Sequence, residues 1–164
     1  MEDGEAIRRC LEGDTDAFRV LVDRYEREAL AHARILRGNL ESGRDAVQEA
    51  FLDAFRSLER FDLGRPFYPW FYVLLRNRCL KGRLPRREMS VETLPLLESR
   101  SGASGDRGLE EALRRLDPQD REILSLKYFD GLSYRNIAER LSVPIGTVMS
   151  RLFTARRALR KELE

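Results

Sequence analysis

Apolar residues in this chain recur at spacings of three and four almost throughout, and nowhere do they alternate with polar ones over the length of a strand. From Asp14 to about Arg37, the residues Phe18, Leu21, Val22, Tyr25, Ala29, Leu30, Ala33 and Leu36 keep this period. A 3.6-residue period places them on one face of a helix, so the chain is expected to be all-α.

Punctuation divides the pattern. Gly38-Asn39 stops the first long helix. Ser42-Gly43-Arg44-Asp45 reads as a capping box that opens the next. In that helix Val47, Ala50, Phe51, Ala54, Phe55 and Leu58 form the expected buried stripe. Asp45, Gln48, Glu49, Leu52, Asp53 and Arg56 face the other way. The turn-rich "RFDLGRPFYP" follows, and Pro69 suits the first turn of a third helix, "WFYVLLRNRCLKGRL". Residues 88–108 lack a period, are rich in Ser and Gly, and read as a flexible linker. Beyond them, Asp117-Pro118 starts a helix, Asp130-Gly131 ends it, and Ser133 opens "SYRNIAERL". A turn at "SVP" leads into a final helix from near Pro144. Helix, short turn and basic helix make a helix-turn-helix. The expected organisation is two small helical domains, 1–87 and 109–164, joined by the linker 88–108.

Composition excludes several classes. The 164 residues hold no run long enough to cross a bilayer as a helix. The polar, acidic start "MEDGEAIRRCLEGD" does not resemble a signal peptide. Cys10 and Cys79 are far apart and His32 is the sole histidine, which is too little for a metal site. The cysteines fit reduced structural residues of a cytoplasmic protein. No nucleophile–base set or phosphate-binding glycine loop is present, so no catalytic residue, metal or cofactor is expected.

Charge is more informative. The net charge is only +2, yet residues 64–87 hold Arg65, Arg76, Arg78, Lys81, Arg83, Arg86 and Arg87 and no acid. Residues 121–164 hold nine bases against five acids. Two basic zones in a near-neutral chain predict two contacts with a polyanion. The first zone interleaves cations with Phe61, Phe67, Tyr68, Trp70, Phe71 and Tyr72, as unpaired bases require for stacking and phosphate attraction. Some of these rings must be core; for Phe61 and Phe67 core and base contact are equally expected.

The last helix can be laid out at about 100° per residue. Val148, Leu152, Ala155 and Leu159 then form the core face. Gly146, Ser150, Thr154, Arg157 and Lys161 face outward. Thr147 and Arg151 flank one side; Ile145, Met149, Arg156 and Arg160 flank the other. A small, hydroxyl-bearing surface with one Arg can enter a major groove, and the cationic end suits phosphates.

In order, "GDTDAFRVLVDRY", "DAVQEAFLDAFRSLERF", "FYPWFYVLLRNRCL" and "LDPQDREILSLKYFDGLSYRNIAERLSVPIGTVMSRL" resemble the extracytoplasmic-function (ECF) class of bacterial RNA polymerase sigma factors. The resemblance spans nearly the whole chain except the linker. It implies a non-catalytic promoter-specificity subunit, with residues 1 to about 87 docking on the polymerase and melting the −10 element. Asp45, Gln48, Glu49 and Leu52 would meet the clamp helices of the largest polymerase subunit. The loop Glu59–Tyr68 would hold a flipped base, and the −10 single-strand set would be Phe61, Arg65, Phe67, Trp70, Arg76, Asn77, Arg78 and Lys81. The −35 set would be Arg135, Thr147, Met149, Ser150, Arg151, Thr154 and Arg157. The linker would thread the polymerase channels, and an anti-sigma factor would be a further partner.

Departures from the family pattern bear on the −35 preference. Asn136 stands where Glu is usual, Ile145 where a polar residue is, Met149 where Lys is, and Thr154 where Arg is frequent. Pro69 replaces a capping Thr. The competing expectation, a free-standing helix-turn-helix regulator, explains the C-terminal domain but leaves "DAVQEAF" and the aromatic-basic stretch without a purpose.

Overall fold

The computed structural model describes residues 1–81 and 106–164, and among them every regular element is helical. The expected linker therefore lies outside the described residues up to 105, as do Arg83, Arg86 and Arg87.

The first module comprises α1 (Asp3–Leu11), α2 (Phe18–Arg37), α3 (Leu40–Arg56) and α4 (Phe67–Leu80), with 3-10 turns at Thr15–Ala17 and Leu58–Arg60. The sequence pattern gave no notice of α1. Its buried apolar residues are only Ala6, Ile7 and Cys10, while Leu11 is exposed at its end, so packing rather than a long stripe defines it. Asp3 ties it to α2 by accepting from Arg24 and the Tyr25 hydroxyl.

Gly38 ends α2 in the left-handed region, at φ 84°, where only glycine is free of strain. The next cap differs from expectation. Asn39, not Ser42, caps α3: its side chain accepts from the Ser42 backbone N–H at 2.7 Å. Asn39 offers an oxygen one turn earlier than the Ser42 capping box, and the helix takes the first competent cap. Gly43 then sits against α2, where a Cβ would lie 3.3 Å from the Arg34 nitrogen.

Helices α2, α3 and α4 pack mutually. Phe51 stacks on Phe71 with centroids 4.4 Å apart, and Tyr25 stacks on Phe67 at 5.5 Å. Phe55 does not join the buried stripe as expected. It is exposed and meets Phe18 edge-on at the rim, because it sits at the margin of the helical stripe.

The second module comprises α5 (Asp106–Arg115), α6 (Pro118–Tyr128), α7 (Tyr134–Leu141) and α8 (Ile145–Leu163). Pro118 occupies the first turn of α6. Ser133 caps α7 by accepting from the Asn136 backbone N–H at 3.1 Å. Ser142 turns the chain at φ 54°, in the left-handed region. Val148, Leu152 and Ala155 bury one face of α8, which packs against α5, α6 and α7. The two modules touch: α2 lies against α6 and α4 against α7.

Candidate nucleic-acid interface

The α3 surface separates cleanly. Ala46, Val47, Ala50, Phe51 and Ala54 face the core, while Asp45, Gln48, Glu49 and Leu52 are exposed. Leu52 is 54 % exposed, an apolar side chain in the middle of a polar face.

The aromatic-basic set does not form one open surface. Phe67 is 1 % exposed, packed among Tyr25, Phe61, Trp70 and Phe71. Phe61 is also buried, with its ring centroid 5.0 Å from that of Trp70. Both rings thus resolve to core in this structure, because the loop folds back over α4. Trp70 is half-buried. Arg65, Asn77 and Lys81 are exposed. Asp62 shapes the loop by accepting from the Gly64 backbone N–H at 2.9 Å, and it lies 3.5 Å from Arg65.

Arg76 and Arg78 are committed to carboxylates. Arg78 donates to both Asp53 oxygens, at 2.5 and 2.8 Å, and approaches Glu49 at 3.4 Å. The hydrogen bond from Arg78 holds the Asp53 carboxyl below its ordinary range. Arg76 Nε donates to both oxygens of Glu122 of α6, at 2.8 and 3.1 Å. Glu122 is 3 % exposed. Burial pushes its carboxyl up, opposed by the charges of Arg76, His32 and Arg151. Arg76 and Arg78, both expected at DNA, thus face carboxylates instead, and Glu122 is a residue the sequence does not single out. The available signal was the charged pair Arg121-Glu122 inside the apolar run of α6.

His32 belongs to the same junction. It is buried, with Nδ1 2.7 Å from the Tyr68 hydroxyl and Nε2 2.7 Å from Asp130 Oδ2. Arg140 of α7 lies over Tyr68 and Tyr72, at 5.5 and 5.1 Å from the ring centroids.

On α8, Met149, Ser150, Thr154 and Arg157 are exposed, and Thr147 and Arg151 are half-buried on the flank. Arg135 is exposed on α7. The apolar spot extends beyond Ile145 and Met149 to Phe153, which is 61 % exposed. Arg157 covers one face of that ring. Among the described residues, no group of three or more His, Cys, Asp or Glu side chains is placed to hold a metal ion. No described helix is long and apolar enough to cross a membrane.

Comparison with known proteins matches residues 21–87 to Sigma-70 region 2 and residues 106–159 to Sigma-70 region 4. The ECF RNA polymerase sigma-E factor of Escherichia coli (strain K12) is 32% identical, over 100% of this chain and 95% of its own length. The RNA polymerase sigma-H factor of Pseudomonas aeruginosa is 31% identical, over 99% of this chain and 94% of its own. The chain belongs to the ECF sigma factors. Solved structures agree on the fold of this sigma factor. CnrH, in complex with the cytosolic domain of CnrY, superposes with a TM-score of 0.68 at 26% identity, covering 98% of this chain and 96% of CnrH. RpoE of Bartonella quintana, in complex with the anti-sigma factor NepR, superposes with a TM-score of 0.66 at 24% identity, covering 89% of this chain and 96% of RpoE. Both modules of this ECF factor, and their order, are thus those of the family.

Proposed function

We propose that this chain acts as the promoter-specificity subunit of bacterial RNA polymerase, with its own residues dividing the work as follows. Residues 1–87 dock on the core enzyme and handle the −10 element. Residues 109–164 read the −35 element, and 88–108 join them. The observation that carries this reading is the match of both sigma regions, in order, along a chain that spans nearly the full length of its relatives.

The surfaces support particular roles. Asp45, Gln48, Glu49 and Leu52 form an exposed acidic-polar face with an apolar centre, suited to a partner helix pair. Arg65, Asn77 and Lys81 offer a cation, an amide and a second cation along the loop and α4, suited to the backbone and edges of a separated strand. Trp70 supports the loop from beneath, and Phe61 and Phe67 set its shape. On α8, Ser150, Arg151 and Thr154 suit base edges, and Arg157 suits a phosphate. Arg135 and Thr147 lie beside them. Met149 offers a methyl to a thymine.

The chain binds and positions without catalysing a reaction of its own, and it works in the cytoplasm where the polymerase is. An anti-sigma factor is the expected negative partner, as NepR is for the Bartonella protein. A free-standing helix-turn-helix regulator would account for residues 106–159 alone and leave the region 2 match without a role. The test is reconstitution with sigma-free core polymerase on a library of random promoters. Specific start sites that depend on the chain support the reading, and their absence refutes it.

A further inference from the structure

Ile145, Met149 and Phe153 lie four residues apart on α8 and are 50, 53 and 61 % exposed. In a helix that spacing advances about 6 Å and turns about 40° at each step, so the three side chains form one apolar row about 12 Å long. Singly exposed apolar side chains are ordinary on a protein surface, whereas a continuous row marks a contact.

The surroundings of the row select what covers it. From Ile145 to Lys161 the helix carries no acid and five cations, Arg151, Arg156, Arg157, Arg160 and Lys161. At the C-terminal end of the row, Arg157 lies 5.8 Å from the Phe153 ring centroid and Arg156 donates to the Tyr128 hydroxyl at 2.7 Å. Beside the row the helix is smooth. A Cβ at Gly146 would meet nothing within 4 Å, and the Ser150 hydroxyl folds back to donate to the Thr147 carbonyl at 3.1 Å. A low centre lets the backbone approach a groove floor, and the row then reaches that floor from one side. An apolar strip edged by cations complements a surface with an apolar floor and anionic walls. The major groove is that surface wherever thymine methyls line it.

We propose that Ile145, Met149 and Phe153 together read a thymine tract in duplex DNA through its methyl groups, with Phe153 a specificity residue at one end of the row. At about 3.4 Å per base pair the row covers about three to four pairs. Arg157 covers one face of the Phe153 ring and fixes it, and the exposed remainder meets the methyl. The inference rests on the reading of α8 as the −35 helix and extends it from one methionine contact to a class of sequence.

Deoxyuridine differs from thymidine only by the absent methyl. Duplexes with a randomised central segment, one pool built with thymidine and one with deoxyuridine, are bound to the full chain, alone and with sigma-free core polymerase. The thymidine pool should yield sites with thymines at neighbouring positions, and the deoxyuridine pool should not enrich that tract. Replacing the selected thymines singly by deoxyuridine should weaken binding by up to about fourfold each, the weight of one buried methyl-sized group. Phe153→Ser should abolish the methyl effect at one end of the tract and Ile145→Thr at the opposite end, because each removes the partner of a different methyl. Both side chains are exposed, so the helix content should be unchanged. Leu11→Ser removes an exposed apolar side chain of α1 and should keep the wild-type preference. Equal affinity of wild type for thymidine and deoxyuridine duplexes overturns the proposal. So does an undiminished methyl effect at every position in both variants, or a pool from which no sequence is enriched. A loss of core polymerase binding in Phe153→Ser, with no methyl effect in wild type, also overturns it and assigns the row to a protein partner. Transcription from the random library separates the two claims: if duplex binding depends on the methyls but no specific transcript is made, the sigma-factor reading fails and the thymine reading stands.

Discussion

Arg78 joins α4 to α3 through carboxylates. Its guanidinium holds Asp53 by two hydrogen bonds and reaches toward Glu49 on the exposed face of α3. The pair joins α3 to α4 and depresses the Asp53 carboxyl below its ordinary value of 3.8. A depressed carboxylate contributes stability that is present above that value and lost as pH falls through the depressed one. Asp53→Asn should therefore lower the urea midpoint by a similar amount between pH 8 and 5, and the difference from wild type should shrink below pH 3.8. A pH-independent difference would show that the pair contributes packing rather than charge. The pair is partly exposed, so the effect stays small. None of this pairing was legible in the sequence, because Asp53 and Arg78 lie on different helices. What was legible was residue type: Arg65, Asn77 and Lys81 stand exposed. The rings of Phe61 and Phe67 could not be assigned from spacing, because a loop that folds back buries what a linear pattern leaves open.

Helices were the most readable scale. Periodicity found α2, α3, α6 and α8, which carry sustained apolar stripes, whereas Pro69 placed the start of α4 and the Ser133 cap placed α7, in which only Ile137 is buried. Periodicity missed α1, whose stripe is three residues, and α5, which begins at Asp106 inside the stretch read as linker, and it began α3 at Ser42 because two cap residues compete three positions apart. The outward face of α3 followed from the same geometry, and it leads to a prediction. Glu49→Arg should weaken binding to core polymerase by about tenfold, or 1.4 kcal/mol, with nearly unchanged helicity and melting temperature. Equal affinity would remove the face from the interface. On α8, Met149→Lys should steepen the salt dependence of log duplex affinity by up to about 0.9, if the new cation reaches a phosphate. If Met149 instead covers a thymine methyl, the same change should shift preference at one base pair by about 1–3 kcal/mol. Arg151→Ala should cost more, because it removes a side chain able to grip guanine by two hydrogen bonds. Titration of duplexes varied one base pair at a time, at several salt concentrations, measures all three. Silence of both variants would take this helix out of the groove. Phe153 was not foreseen on this surface; on the helical wheel it continues the line of Ile145 and Met149.

At the scale of the whole molecule, the sequence separates the modules but does not say how they meet. The junction is made of residues that each look ordinary alone: a histidine in a helix, an acid in an apolar run, a tyrosine beside a proline. Their roles appear only when His32, Tyr68 and Asp130, and then Arg76 and Glu122, come together from distant positions. Removing Arg76 leaves a buried carboxylate without its hydrogen-bonded partner, which typically costs about 3–5 kcal/mol. Arg76→Ala is thus expected to melt well below wild type unless the modules separate and rehydrate Glu122, in which case the loss is small and the scattering radius grows. Transcription from a random promoter library with sigma-free core enzyme shows whether this chain gives RNA polymerase its promoter choice. Transcripts should start at defined sites, share −35 and −10 sequences, and vanish when the chain is omitted. Start sites that are unchanged by adding or omitting the chain would contradict that role.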